Sequence, residues 1–329
     1  MNSPSAVDQS LPRAKPRGPT TAVLLLAHGS PDSPDEVPDF LRNIAGRPLP
    51  PPVIDEVKHR YSLIGHSPLT EITMRQAAGV ARELRLPVYV GMRNWKPFIA
   101  DTVQQMANDG ITHAVVICLA PQNSRTSVGL YRRALGQSTP FSVDFVENWH
   151  DHPLLIRAFT EKLQPGWHRA CEEAGARLPI IFTAHSVPTR TIEEGDPYEQ
   201  QAKETAEMVA MEVPSLTNDD WTFAFQSQGM SGGAWLGPTV EDSILGLKQK
   251  GHGGVFVQPI GFVCDHVEVL YDIDIGFKQF AAQRGMQLWR AVSLNDSPTF
   301  CAAIADVARS RLEQPGEPKS QIVRIKGNP

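Results

Sequence analysis

The sequence predicts an α/β protein built on open, doubly wound parallel sheets, and two observations carry that reading. Short, nearly continuous apolar runs such as AVLLLA at 22–27 and GVFVQPI at 254–260 alternate with helix-length stretches, as strands covered by helices on both faces do. The second observation is internal repetition. Leu25-Leu26-Ala27-His28-Gly29-Ser30-Pro31 closes one strand, and Phe182-Thr183-Ala184-His185-Ser186-Val187-Pro188 closes another 157 residues later. Pro97, Asp101 and Gly110, ahead of AVVICL, recur at an offset of 141 as Pro238, Asp242 and Gly251 ahead of GVFVQP. Two such units imply two similar lobes facing each other over a cleft, with ligands beyond the carboxyl ends of the strands. The unequal offsets mean that the lobes are not simple copies.

Taken in order, residues 1–20 are rich in Pro, Ser and charge and are expected to be a disordered lead-in. The first lobe, 21–150, has strand patterns at 22–27, 87–90 and 114–119 and helix patterns at 70–84, 96–108 and 127–135. In the second, 151–313, strands are expected at 179–183, 221–226 and 254–260 and helices at 153–174, 198–213 and 238–249, with a last helix free to pack back on the first lobe. Residues 314–329 read as a loose tail.

The composition sets limits on function. A chain of 329 residues with 41 % hydrophobic and 20 % charged residues is not wholly disordered and is long enough for two domains. A net charge of −5 leaves no electrostatic footprint for DNA or RNA. Cys118, Cys171, Cys264 and Cys301 lie far apart, which argues against a zinc ribbon, a redox pair or an iron–sulfur cluster and fits a reducing cytoplasm. No apolar run approaches the roughly 20 residues of a membrane span, and residues 1–20 contain no hydrophobic signal core. A cytoplasmic protein is expected.

The residues richest in chemistry lie between Pro259 and Asp274. Asp265, Glu268 and Asp272 are spaced i, i+3, i+7, which on a helix stacks three carboxylates on one face. Such a stripe is either a solvated face or a row that holds cations or protons. Its position decides between them: the segment opens directly after a buried strand, at the cleft edge, and Val267, Val269, Leu270 and Tyr271 make its other faces apolar. His185 ends a buried strand ahead of Ser-Val-Pro. A neutral imidazole among carboxylates suits a borderline divalent metal such as iron(II), or a general base near pH 7.

These segments, with Gly195-Asp196-Pro197-Tyr198, Gln226-Ser227-Gln228 and Trp235-Leu236-Gly237-Pro238, together resemble the ferrochelatase family from about Ala22 to Ala308. The resemblance implies two pseudo-twofold-related, Rossmann-like lobes with parallel four-stranded sheets. It also implies a porphyrin held between them and insertion of Fe2+ as substrate to form a haem. It assigns His185 and Glu268 to catalysis at the metal; Asp272, which continues the carboxylate row outward, is expected to be a route for hydrated Fe2+ or departing protons. Arg60, Tyr61, Ser67 and Tyr131 match positions around the tetrapyrrole and its propionates; a flat apolar ring also calls for walls such as Met92, Trp95 and Leu119, and the repeated Ala-His brings His28 to the face opposite His185. No tightly bound cofactor is implied, a monomer is expected, and a haem-handling partner is compatible with the cleft. The short 46–67 connection resembles that of the compact coproporphyrin III type.

The chain departs from the family pattern at four places. His28 stands where compact bacterial enzymes often carry Tyr, Gly65-His66 replaces Gly-Gly, Asn94 replaces His, and Ala45 replaces an Arg. These changes bear on the proximal ligand and the propionate contacts and leave His185 and Glu268 untouched. Two alternatives accompany the main reading. One is a cobalt or nickel chelatase acting on a sirohydrochlorin-type ring; the other is a non-catalytic haem or porphyrin carrier.

Overall fold

Buried β-branched and leucine-rich runs form the centre of each lobe, because strands covered on both faces have no polar side to present. The computed structural model describes residues 20–136, 139–229 and 232–313. The expected lead-in, apart from Thr20, and the tail at 314–329 lie outside these residues. β1 (Thr20–Ala27), β2 (Val88–Met92), β3 (Ile111–Cys118) and β4 (Ser142–Val146) form one parallel sheet in the order β2-β1-β3-β4. β5 (Ile180–His185), β6 (Trp221–Gln226), β7 (Gly254–Pro259) and β8 (Gln287–Arg290) form the other, in the order β6-β5-β7-β8. The second order repeats the first, position for position.

The repeat extends to single hydrogen bonds. Met92 donates its backbone N–H to the Pro97 carbonyl at 2.7 Å, and Phe225 donates to the Pro238 carbonyl at 2.8 Å. The two prolines are the pair matched in the sequence at an offset of 141. Each therefore anchors the loop that leaves its strand toward the cleft.

Helices cover both sheets. In the first lobe they are α1 (Val37–Ala45), α2 (Pro51–Ile64), α3 (Leu69–Leu84), α4 (Ile99–Asn108) and α5 (Val128–Leu135). The second carries α6 (Pro153–Ala174), α7 (Thr189–Glu193), α8 (Tyr198–Met211), α9 (Val240–Gln249), α10 (Val267–Leu270), α11 (Lys278–Ala282) and α12 (Pro298–Glu313). One core cluster runs through both lobes, from Val23 and Leu25 of β1 to Phe182 of β5 and Phe256 of β7, by way of α6 and α12. α12 crosses α3, and Phe300 stacks on Trp149 at 5.9 Å. At that crossing a Cβ on Gly79 would meet Cys301 Sγ at 2.6 Å, so only glycine lets the helices approach this closely. The lobes are thus joined by a continuous apolar core, and the cleft is held open against it.

β4 and β8 have no counterpart among the strands expected from the sequence. Both are short edge strands, SVDFV and QLWR, with mostly half-exposed residues that show neither a buried run nor clean alternation. The 46–67 connection is largely helical: α2 begins with Pro51-Pro52, whose fixed φ suits a first helical turn.

Candidate active site

Between the lobes lies a cavity of about 360 Å³, beyond the carboxyl ends of β1, β3 and β5, where a doubly wound fold places its ligands. His185, the last residue of β5, lines it. The Tyr198 hydroxyl donates to the His185 carbonyl at 3.0 Å and fixes the strand end. Ring orientation follows from Nδ1, which bonds the Ser186 carbonyl. A carbonyl only accepts, so Nδ1 carries the hydrogen and Nε2 faces Glu268 Oε2 at 3.5 Å.

Glu268 sits in the single turn of α10, and its backbone is tied to the sheet. Gln226 Nε2 donates to the Glu268 carbonyl at 2.9 Å, while Gln226 Oε1 accepts from Thr183 Oγ1 at 3.1 Å. One buried glutamine thus connects β5, β6 and α10. Glu268 Oε2 is buried and makes no hydrogen bond. Burial pushes this carboxyl up, and His185, His266 and, least of all, His28 more than offset it, so the group lies below its ordinary value.

The expected row of three carboxylates is corrected to two. Asp265 precedes α10 and turns away, accepting from Ser293 Oγ at 2.7 Å, Asn295 Nδ2 at 2.9 Å and Arg290 Nη2 at 3.3 Å. It closes the loop between β7 and α10 rather than standing in a row. Beyond α10 the chain enters a π-helical turn, Asp272–Phe277, so regular helical spacing does not continue past Tyr271. Asp272 accepts a short hydrogen bond from Ser227 Oγ and lies 3.8 Å from Arg60 Nη1. Burial pushes its carboxyl up to about 6. Asp272 does not line the cavity.

His28, Arg93 and Tyr131 face the cavity from the first lobe. Gly29, at φ 85°, has its Cβ position only 2.8 Å from the Trp95 backbone nitrogen, so the turn after His28 admits glycine alone. His28 Nδ1 bonds the Gly29 carbonyl at 3.0 Å, which again leaves Nε2 free. Burial first, and Arg93 second, push His28 down to about 4, so it is neutral at pH 7. The Tyr131 phenol is pushed up by burial and stays protonated.

Other residues expected around a tetrapyrrole stand elsewhere. Met92 is fully buried in the shared core, its sulfur 3.7 Å from Thr70 Oγ1. Tyr61 is buried with Val37, Phe40 and Trp95 and bonds Ser30 Oγ at 2.9 Å. Ser67 is buried with its hydroxyl unpartnered. Arg60 pairs with Glu56 at 2.9 Å and lies 5.0 Å from the Tyr271 ring centroid. None of the four lines the cavity, nor does Trp95, whereas Leu119 does. Sequence reasoning passed over Arg93 and His266. Arg93 had a usable signal, since a charged residue directly after the buried run VYVGM holds the position that singled out His28.

The ferrochelatase family model matches residues 20–312. The chain belongs to the ferrochelatase family. It is 54 % identical over 312 residues to the ferrochelatase of Acidobacterium capsulatum, covering 89 % of this chain and 95 % of that protein. With the ferrochelatase of Deinococcus radiodurans it shares 38 % over 317 residues, covering 93 % and 99 %. It is also 34 % identical over 308 residues to a coproporphyrin III ferrochelatase of Geobacillus sp., covering 88 % and 97 %. Among solved structures, SirB from Bacillus subtilis with Fe3+ superposes with a TM-score of 0.53 at 11 % identity, covering 90 % of this chain and 97 % of that one. That likeness speaks to the two-lobed fold alone.

This ferrochelatase inserts Fe2+ into a porphyrin, a reaction that exchanges two pyrrole protons for one divalent cation. The cavity is suited to both halves of that exchange. His185 Nε2 and Glu268 Oε2 are two electron-rich atoms 3.5 Å apart with no hydrogen committed between them, an arrangement that attracts a proton or a metal ion. Apolar walls from Leu69, Leu119, Val263 and Phe262 suit a flat macrocycle. No described helix is long and apolar enough to cross a membrane.

Proposed function

We propose that this ferrochelatase acts on coproporphyrin III, as a monomer in the cytoplasm, with His185 and Glu268 as the catalytic pair. The observation that carries the catalytic assignment is the facing of His185 Nε2 and Glu268 Oε2 across the cavity wall, with Nδ1 already committed to Ser186. His185 accepts a pyrrole proton through its free Nε2; Glu268 relays it or orients the incoming Fe2+. Asp272 lies one turn on, held by Ser227 and Arg60, and takes protons outward or hydrated metal inward. The substrate assignment is supported by similarity to the Geobacillus coproporphyrin III ferrochelatase over nearly the whole chain.

His28 is proposed as the ligand of product iron from the first-lobe wall, since burial keeps it neutral and its Nε2 is free. Tyr131 packs against the macrocycle beside it. Arg60, Tyr61, Ser67 and Met92, proposed from the sequence as porphyrin contacts, do not line this cavity, so the pocket proposed here rests on His28 and Tyr131. The test is an anaerobic insertion assay with Fe2+ and coproporphyrin III, protoporphyrin IX or sirohydrochlorin, followed by visible absorption. Repeated turnover with the highest kcat/KM on coproporphyrin III is expected. A higher value on protoporphyrin IX overturns the substrate assignment, and formation of no more than one equivalent of haem identifies a carrier.

A further inference from the structure

Arg93 follows β2 directly, and its backbone N–H donates to the Ala27 carbonyl at 3.0 Å. The residue is thereby fixed beside His28, with its side chain on the cavity. Its Nε is buried without a hydrogen-bond partner. The guanidinium lies 5.7 Å from the Tyr131 ring centroid, and that ring supplies no anion, because burial holds the phenol protonated. Among the described residues no carboxylate is paired with Arg93; the groups beside it are the Tyr131 ring and the imidazole of His28. A partly desolvated guanidinium without a counter-charge among the described residues is unfavourable on its own, and it becomes favourable when a ligand brings an anion to it.

The cavity is therefore polarised. The second-lobe wall presents Glu268 with its unpartnered Oε2, and the first-lobe wall presents the cation of Arg93. Free Fe2+ entering the cavity, not yet held in a porphyrin, is drawn to the first and repelled by the second. We propose that Arg93 binds a carboxylate side chain of the porphyrin, holding the macrocycle in the orientation that presents its pyrrole nitrogens to His185 and Glu268. This rests on the proposed reading that the substrate bears carboxylates on all four rings. Such a porphyrin carries an acid to any wall of the cavity, whereas protoporphyrin IX has its two acids on neighbouring rings. Arg93 thus favours the more highly carboxylated ring.

Equilibrium binding measured by fluorescence quenching decides this, with coproporphyrin III and its tetramethyl ester as probes. For Arg93→Gln, affinity for the free acid is expected to fall roughly ten- to a hundredfold, the loss of one charged hydrogen-bonded contact. Affinity for the ester is expected to stay at the wild-type value. Arg93→Lys, which keeps the charge and loses the planar fork, recovers part of the loss and guards against a folding defect in the first variant. Equal weakening of acid and ester makes Arg93 a packing residue and overturns the proposal, as does unchanged binding of both. A wild-type protein that prefers protoporphyrin IX overturns the substrate reading alone. Arg93 is then judged by the same contrast between protoporphyrin IX and its dimethyl ester.

Discussion

An Ala-His pair stands at the carboxyl end of both β1 and β5, at the rim of one cavity, with His185 the last residue of β5 and His28 the first after β1, and both imidazoles use Nδ1 to hold the carbonyl of the next residue. Up to that point the two lobes behave as copies. The difference lies in what stands opposite. His185 is about a third exposed and faces the carboxylate of Glu268 at 3.5 Å. His28 meets the Phe40 ring edge-on, with centroids 5.9 Å apart, and lies near the cation of Arg93, and burial drives it to about 4. A cation and a dry environment favour a neutral imidazole at His28. The same Ala-His dipeptide thus stands beside a carboxylate in one lobe and beside a cation in the other. Local sequence sets where an imidazole stands; the neighbours that its own lobe folds against it set its surroundings.

The largest effect is expected from breaking the acid wall. His185→Ala removes the free Nε2 and is expected to abolish iron insertion while porphyrin binding persists. Glu268→Gln keeps the shape and removes the charge, and should slow insertion by at least about a hundredfold, the scale of a lost acid–base group. Stopped-flow insertion kinetics alongside equilibrium porphyrin binding check both. Near-normal turnover in either variant removes that residue from the chemistry.

The opposite wall is sharpened by the product rather than the rate. Iron coproporphyrin bound to the wild type is expected to show a nitrogen axial ligand and no tyrosinate charge-transfer band, because a neutral imidazole ligates both ferrous and ferric haem. In His28→Ala that signature should disappear and the product should dissociate faster. Resonance Raman or magnetic circular dichroism spectra identical in the two proteins would end the assignment.

A smaller effect lies outside the cavity, at Asp272. Burial raises this carboxyl to about 6, Ser227 lowers it, Glu268 raises it and Arg60 lowers it. A group raised in this way is protonated at pH 5 and ionised at pH 7, so insertion that uses the carboxylate should rise across that window. Asp272→Asn is expected to flatten this acid limb. Arg60→Ala withdraws a nearby cation, so the limb should move to higher pH, by well under one unit for an ion pair 3.8 Å apart and partly exposed. The pH dependence of kcat/KM measures both shifts, and a limb that stays in place in both variants excludes Asp272 from the relay.

Much of the architecture was legible because it rests on local signals. AVLLLA, AVVICL and GVFVQP are buried runs whose covering helices show in the alternation around them, and the paired motifs disclosed the duplication before any contact was known. The edge strands were not legible, since SVDFV and QLWR owe their conformation to pairing with β3 and β7 rather than to their own pattern. α2 was missed for a related reason. Its buried side chain, Tyr61, belongs to a small cluster with α1 and Trp95, so the helix shows no strong apolar stripe of its own.

The acidic segment marks where sequence spacing stops being a guide. An i, i+3, i+7 pattern presumes one continuous α-helix, but the chain makes a single α-turn and then widens into a π-turn, while Asp265 is drawn off by Arg290, Ser293 and Asn295. By itself, then, the sequence determined the doubly wound class, the duplication, and the placing of His185 and Glu268 at the cleft. These follow from periodicity and from which residues end a buried strand. Only the tertiary structure decided that Asp265 leaves the row, that Met92 and Tyr61 belong to the core, and that Arg93 faces the cavity with no counter-ion among the described residues. Each of these depends on partners distant in the chain, and electrostatics and close packing act through space.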